Sequence, residues 1–181
     1  MPRAYRRAAS VPRDDGCAGG PRRVPPWPRL VLAPAPPLNG VVPISPDHAG
    51  RTYPPTAPYT VSAAKIAEFA AALQDSNPAY AGESPVAPPT FAAVIGAAAW
   101  DALFGDPELD LSLQRVVHAD QTFTWHRPLR TGDTVTGVLT IDKVRCRGAM
   151  EIVGVTVRIG TLEGEPVVDS SSTFVHTREA A

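Results

Sequence analysis

The chain has 181 residues, 44% hydrophobic and 19% charged, with a formal net charge of −1. That balance is globular, sized for one domain plus an extra segment, and carries no overall charge that would draw nucleic acid or a strongly acidic partner. No apolar run reaches the roughly 18–20 residues of a membrane span, and the only two cysteines, Cys17 and Cys146, fit a reducing cytosol with no disulfide between them.

The charge is unevenly spread. Residues 1–40 hold seven Arg against two Asp, while residues 41–181 hold ten basic against sixteen acidic side chains. Residues 1–40 also hold nine of the 21 prolines. Such a stretch has too few backbone donors for a ladder and no apolar face for a core, so a disordered head is expected. It reads as a basic binding arm, a dispensable tail, or an upstream start assigned in error, with Val41 or Val42 as the true initiator. The Arg6-Arg7 pair has no apolar stretch after it, so export is not expected and the chain reads as cytoplasmic.

Residues 51–60, RTYPPTAPYT, form a proline-stiffened extended lead-in. SAAKIAEFAAALQ (62–74) predicts a helix capped by Ser62, with Ile66, Phe69, Ala70 and Leu73 on one face. Asp75–Pro89 reads as loop, punctuated by Gly82 and four prolines, Pro78, Pro85, Pro88 and Pro89. A second helix, FAAVIGAAAWDALF (91–104), opens at Thr90 as N-cap and is apolar almost all round, which predicts burial. Four strands follow at 116–125, 133–144, 150–162 and 166–177, joined by short turns that include RCRGA at 145–149. Short-looped successive strands imply an antiparallel sheet. One long Ala/Gly helix with four to five such strands is an α+β layout, a hot-dog arrangement in which the sheet wraps the helix. A region of this size buries roughly two-thirds of its unfolded surface, enough for a core.

Three blocks, FAAALQDSNPAY (69–80), APPTFAAVIG (87–96) and VVHADQTFTWHRPLRTGDTV (116–135), resemble the MaoC-like dehydratases of the hot-dog superfamily. The likeness is greatest to the small FAS1-like, actinobacterial subunits that pair with a separate MaoC-type partner. It covers roughly residues 45–178, and residues 1–40 have no counterpart in it. In catalytic members a G-D-x-N-P-x-H motif follows the first helix, and its Asp and His handle a water and the C2 proton of a 3-hydroxyacyl thioester. Here Asp75, Asn77 and Pro78 match, but Gln74 replaces the Gly and Tyr80 the His. Imidazole, with an ordinary pKa of about 6.5, suits proton transfer near neutrality, and a phenol near about 10 does not. The resemblance therefore implies a chain without the dyad.

Asp75-Ser76-Asn77-Pro78 also reads as a plain helix-terminating turn. His118 and Asp120, two apart on a strand, share a face by alternation; they read either as a relocated base and orienter or as residues shaping the lobe. The residues expected at substrate are Asn77, Pro89, Thr90, Phe91, Val94, Ile95 and Ala98, with the free N–H groups at the second helix's N-terminus polarising the thioester carbonyl. No metal-ligand spacing or phosphate loop is present, and no cofactor is expected. The expected partners are a MaoC-type catalytic subunit, or a second copy of the chain, and an acyl-ACP or acyl-CoA thioester, with neither nucleic acid nor membrane. The resemblance thus points to the non-catalytic subunit of a heteromeric (3R)-3-hydroxyacyl-thioester dehydratase. The alternatives are a homodimeric hydratase or thioesterase, and an acyl-thioester-binding module without turnover.

Overall fold

The computed structural model describes residues 44–178. The head expected over residues 1–40, and Cys17 within it, lie outside the described residues. Five strands form one antiparallel sheet: β1 (Tyr59–Thr60), β2 (Val116–Trp125), β3 (Thr134–Arg147), β4 (Met150–Thr161) and β5 (Pro166–Thr177). Their order is β1-β3-β4-β5-β2, which leaves β2 as a ten-residue edge strand. Two helices accompany the sheet, α1 (Ala63–Ala72) and α2 (Ala92–Phe104).

Alternation along the strands sets the core. Val135, Leu139, Ile141 and Val144 of β3, and Val153, Val155, Val157 and Ile159 of β4, turn to one face and are buried. The sheet curls so that this face closes on α2, whose Ala92, Ile95, Gly96, Ala99 and Leu103 are buried against it. Gly96 packs closely there: a Cβ at that position would lie 3.1 Å from the Ser170 hydroxyl, tighter than ordinary contact. The hot-dog layout predicted from the pattern is the layout observed.

Several boundaries differ from the sequence reading. β3 runs on to Arg147, so the expected five-residue turn at 145–149 shrinks to Gly148 and Ala149, with Gly148 at φ 59° supplying the left-handed corner. α2 is buried on one side only. Val94 remains 38% exposed, and Ala98 is exposed one turn further on. An apolar helix left open along one stripe is not a fully interior helix in the single chain. Thr90 is not the N-cap of α2. Pro88 and Pro89 start a 3-10 turn over Pro89–Phe91, so Thr90 already lies inside helical backbone, and no side chain caps α2.

The β2–β3 turn is held by charge. Arg127 donates through Nη1 and Nη2 to the two carboxylate oxygens of Asp133, at 2.7 and 3.2 Å, and through Nε and Nη2 to Glu165, at 2.9 and 3.2 Å. Asp133 also accepts the Arg130 N–H at 2.8 Å. Burial pushes the Asp133 carboxyl up, but Arg127 and the Arg130 N–H outweigh it and hold it below the usual carboxylate range. A depressed folded value means stability that is present above about pH 4, the unfolded value, and lost as pH falls through the folded value. Arg127→Met is therefore expected to cost about 1–2 kcal/mol at pH 7. Denaturant titrations of wild type and variant should converge as pH drops below about 4. A gap between them that stays constant down to about pH 2 would show that Arg127 acts by packing alone.

Candidate functional site

The helix-to-loop junction is the place to start. α1 is capped at its start by Ser62, whose hydroxyl accepts the Lys65 N–H at 3.2 Å. At its end the Gln74 N–H bonds to Ala71 C=O and the Asp75 N–H to Ala70 C=O, both at 3.0 Å. This is a Schellman closure, and its left-handed position is Gln74, at φ 55°. Glycine is favoured at that position for steric reasons, which accounts for the Gly that opens the related motif. Gln74 holds the same corner at a cost.

Beyond the corner, Asp75 Oδ1 accepts the Asn77 N–H and Asn77 Oδ1 accepts the Ala79 N–H, both at 3.0 Å. Asn77 thereby caps a 3-10 turn over Pro78–Tyr80. The turn projects Tyr80 between two cavities. One, of about 280 Å³, is lined by Asp75, Asn77, Pro78 and the Ala70–Ala71 face of α1. The other, of about 390 Å³, is lined by Tyr80, Val86, Ala87, Pro89, Trp125, His126, Arg127 and Pro128. Tyr80 belongs to both, and Asp75 only to the first. Partial burial, and after it the Asp75 carboxylate, raise the Tyr80 phenol above its ordinary value. A phenol already too weak an acid is moved further from service as a base near neutrality.

The remaining expected site residues scatter. Pro89 lines the larger cavity. Val94 lines a third cavity of about 410 Å³ with Tyr59, Lys65, Glu68, Phe69 and Ala72. Phe91 and Ile95 are sealed in the core, one turn apart on the side of α2 that meets the sheet. Thr90 and Ala98 are exposed. The channel wall expected along one face of α2 is thus split between inside and outside, because positions 91 and 95 lie about 60° around the helix from 94 and 98. Of the N–H groups expected to polarise a thioester carbonyl, that of Phe91 is engaged, bonded to Pro88 C=O at 2.8 Å.

His118 and Asp120 do not form a pair. A register shift falls between them, so His118 opposes Phe174 and Asp120 opposes Thr173, and these two neighbours on β5 face opposite sides. The bulge at Ala119 breaks the alternation on which a shared face depends. The His118 ring packs 5.0 Å from Trp100 and 5.1 Å from Phe174, as one more aromatic in the wall.

Sequence reasoning left His126 unassigned. It lines the larger cavity, and its Nε2 lies 3.3 Å from Asp169 Oδ2. Thr124 opposes Asp169 in the β2–β5 register, which brings the carboxylate beside the end of β2. Position 126 follows a strand end by one residue, and only the β5 register reveals the acid beside it. Among the described residues no group of three or more His, Cys, Asp and Glu is placed to hold a metal ion, and no helix is long and apolar enough to cross a membrane.

A curled five-stranded antiparallel sheet around one helix, with a pocket between the post-α1 loop and the end of β2, defines the hot-dog dehydratase and hydratase fold. Residues 47–170 match the FAS1-like dehydratase domain region, and the chain belongs to that family. A UPF0336 protein of Cutibacterium acnes is 52% identical over 135 residues, covering 75% of this chain and 95% of its own length. The C-terminally truncated HadBC (3R-hydroxyacyl-ACP dehydratase) complex of Mycobacterium tuberculosis is similar at 26% identity and a TM-score of 0.63, over 71% of this chain and 97% of that one. A MaoC-like dehydratase of Rhodospirillum rubrum shares the fold at 23% identity and a TM-score of 0.58, over 74% and 94% of the two chains.

Proposed function

We propose that this chain is the non-catalytic, acyl-chain-binding subunit of a heteromeric (3R)-3-hydroxyacyl-thioester dehydratase, with the domain running over residues 45–178. The reaction converts a (3R)-3-hydroxyacyl thioester, on ACP or CoA, to the trans-2-enoyl thioester and water. A MaoC-type partner supplies the Asp and His that take the C2 proton and return one to the leaving hydroxyl. The observation that carries this reading is Tyr80, which stands where the family's imidazole would be and separates Asp75 from the larger pocket. Two surfaces support it. Among the described residues β2 has one edge with no strand beside it and Val117 64% exposed, and α2 leaves Val94 and Ala98 uncovered. An open ladder beside an apolar helix stripe suits a second hot-dog lobe. The similar HadBC protein is itself a complex.

The test is hydration of crotonyl-CoA by the purified chain, alone and mixed with a protein carrying an intact G-D-x-N-P-x-H motif. Alone, the chain is expected to run no faster than a heat-treated control; the mixture should be active and co-elute. One observation favours a second reading, a self-paired hydratase or thioesterase: His126 and Asp169 at the mouth of the larger pocket. Turnover by the isolated chain that is lost on His126→Gln, or on Asp75→Ala, would replace the subunit reading with that one.

A further inference from the structure

The outward face of the sheet carries a surface that the pocket does not explain. Along β3, Val144 turns inward to the core, so Lys143, Arg145 and Arg147 point outward at three successive positions, and all three are exposed. Their partners on β4 are Gly154, Ile152 and Met150, none of them acidic. None of the three cations has an ion pair among the described residues. Beside them runs an apolar strip. Ile152 opposes Val175, and Val175 opposes Val117, so the strip crosses β4, β5 and β2. Met150 is 45% exposed next to it, and Ile152 and Val175 are half-buried. The nearest acids are otherwise engaged or lie off the patch. Asp142 accepts the Thr156 hydroxyl at 2.7 Å, Glu151 faces inward to His176 and Arg178, and Asp120 lies one outward position beyond Val117 on β2.

Cations on an exposed strand protect an edge from pairing, and that alone would account for Arg145 and Arg147. It does not account for Met150 and Ile152 beside them on β4, nor for the apolar surface that continues from Ile152 across the strands to Val175 and Val117. Nor does it explain why residues 41–181, with sixteen acidic against ten basic side chains, gather three cations there and no acid opposite. We propose that this face docks an acidic amphipathic helix presented by a protein partner, lying along the β3–β4 seam.

The spacings agree. Alternate residues of a strand lie about 6.6 Å apart, so the three cations span about 13 Å. Carboxylates at i, i+4 and i+8 of a helix lie about 6 Å apart and span about 12 Å. A helix with acids on one stripe and aliphatic residues on the next sets the first over β3 and the second over Met150, Ile152 and Val175. A single-stranded nucleic acid fits less well, because the strip has no aromatic ring on which a base could stack. An anionic membrane also fits less well, since such clusters hold about four to eight cations and this domain is acidic overall.

The probe is an 18-residue (about five turns) amidated helical peptide with Glu at i, i+4 and i+8 and Leu on the adjoining stripe. Its control has the same composition with both stripes scattered. Fluorescence anisotropy with the full chain should show binding to the ordered peptide and not to the scattered one, weakening as salt rises from about 50 to about 500 mM. Lys143→Glu/Arg145→Glu/Arg147→Glu should weaken it by about tenfold or more, and Met150→Asp should weaken it separately. The milder triple change to Gln covers the case in which charge reversal disturbs folding, monitored by the thermal midpoint. Equal binding of the scattered peptide, no binding of either, or an unchanged affinity in the Gln triple variant would each overturn the proposal. So would capture by vesicles containing about 30% anionic lipid together with failure of the peptide, which would make the face a lipid-surface contact.

Discussion

Glu151→Ala is expected to destabilise the fold by about 3–5 kcal/mol, the largest single-residue effect predicted for this chain. Glu151 and His176 are only 2% and 1% exposed. His176 Nδ1 and Glu151 Oε2 lie 2.8 Å apart, Glu151 Oε1 accepts from Arg178, and the Ser112 N–H donates to His176 Nε2 at 3.3 Å. Since Nε2 accepts, the proton of a neutral ring is on Nδ1 and is donated to Glu151. Alanine at 151 would leave a buried imidazole N–H and a partly buried guanidinium without a carboxylate, the costly half of a broken pair. Glu151→Gln keeps an acceptor but not the charge, and should fall between alanine and wild type. Equilibrium urea unfolding of the three proteins checks the order. If alanine cost less than about 1 kcal/mol, solvent would have to reach this cluster, and it would not tie β4 and β5 to Ser112.

The second large effect is a gain of activity. Gln74→Gly with Tyr80→His restores the family's motif letters around Asp75. Glycine at 74 removes the cost of a left-handed glutamine, roughly 1 kcal/mol, which offsets packing lost where Tyr80 now lies against the core. Histidine at 80 places an imidazole on the 3-10 turn where the phenol now divides the two cavities, and the Asp75 carboxylate, which already raises that phenol, would hold the protonated ring. A positioned general base contributes roughly 10²–10⁴-fold, so weak hydration of a short enoyl-CoA is the expected result. The assay sets the double variant beside wild type and beside the triple variant that adds Asp75→Ala. Activity in the double variant only is the supporting outcome. A well-folded, self-associated double variant with no activity would show that the site's surroundings have diverged beyond the missing ring.

Much of this architecture can be read along the chain. Ser62 as a cap, the four long strands and the small-residue character of α2 all follow from local chemistry and period. What the chain does not display are features that depend on a neighbour. β3 continues through Arg145–Arg147 because β4 pairs with it, although charged exposed residues there look like turn. The bulge at Ala119 exists only relative to β5, and it separates His118 from Asp120. Pro88 and Pro89 look like a barrier before a helix, whereas together they begin the 3-10 turn that displaces the cap. At the site, the departure of Tyr80 from the related motif is visible in the sequence itself. His126 was not legible as a partner of Asp169, because 43 residues of sequence separate them.

The unpaired edge of β2 bears on how a cell must make this protein. Among the described residues no strand covers the outer edge of β2, so along its ten residues the half of the backbone donors and acceptors that does not bond to β5 is open to another strand. A copy with nothing covering that edge is therefore exposed to mispairing with its own kind and to slow aggregation. Strong expression of this chain with that edge uncovered invites inclusion bodies.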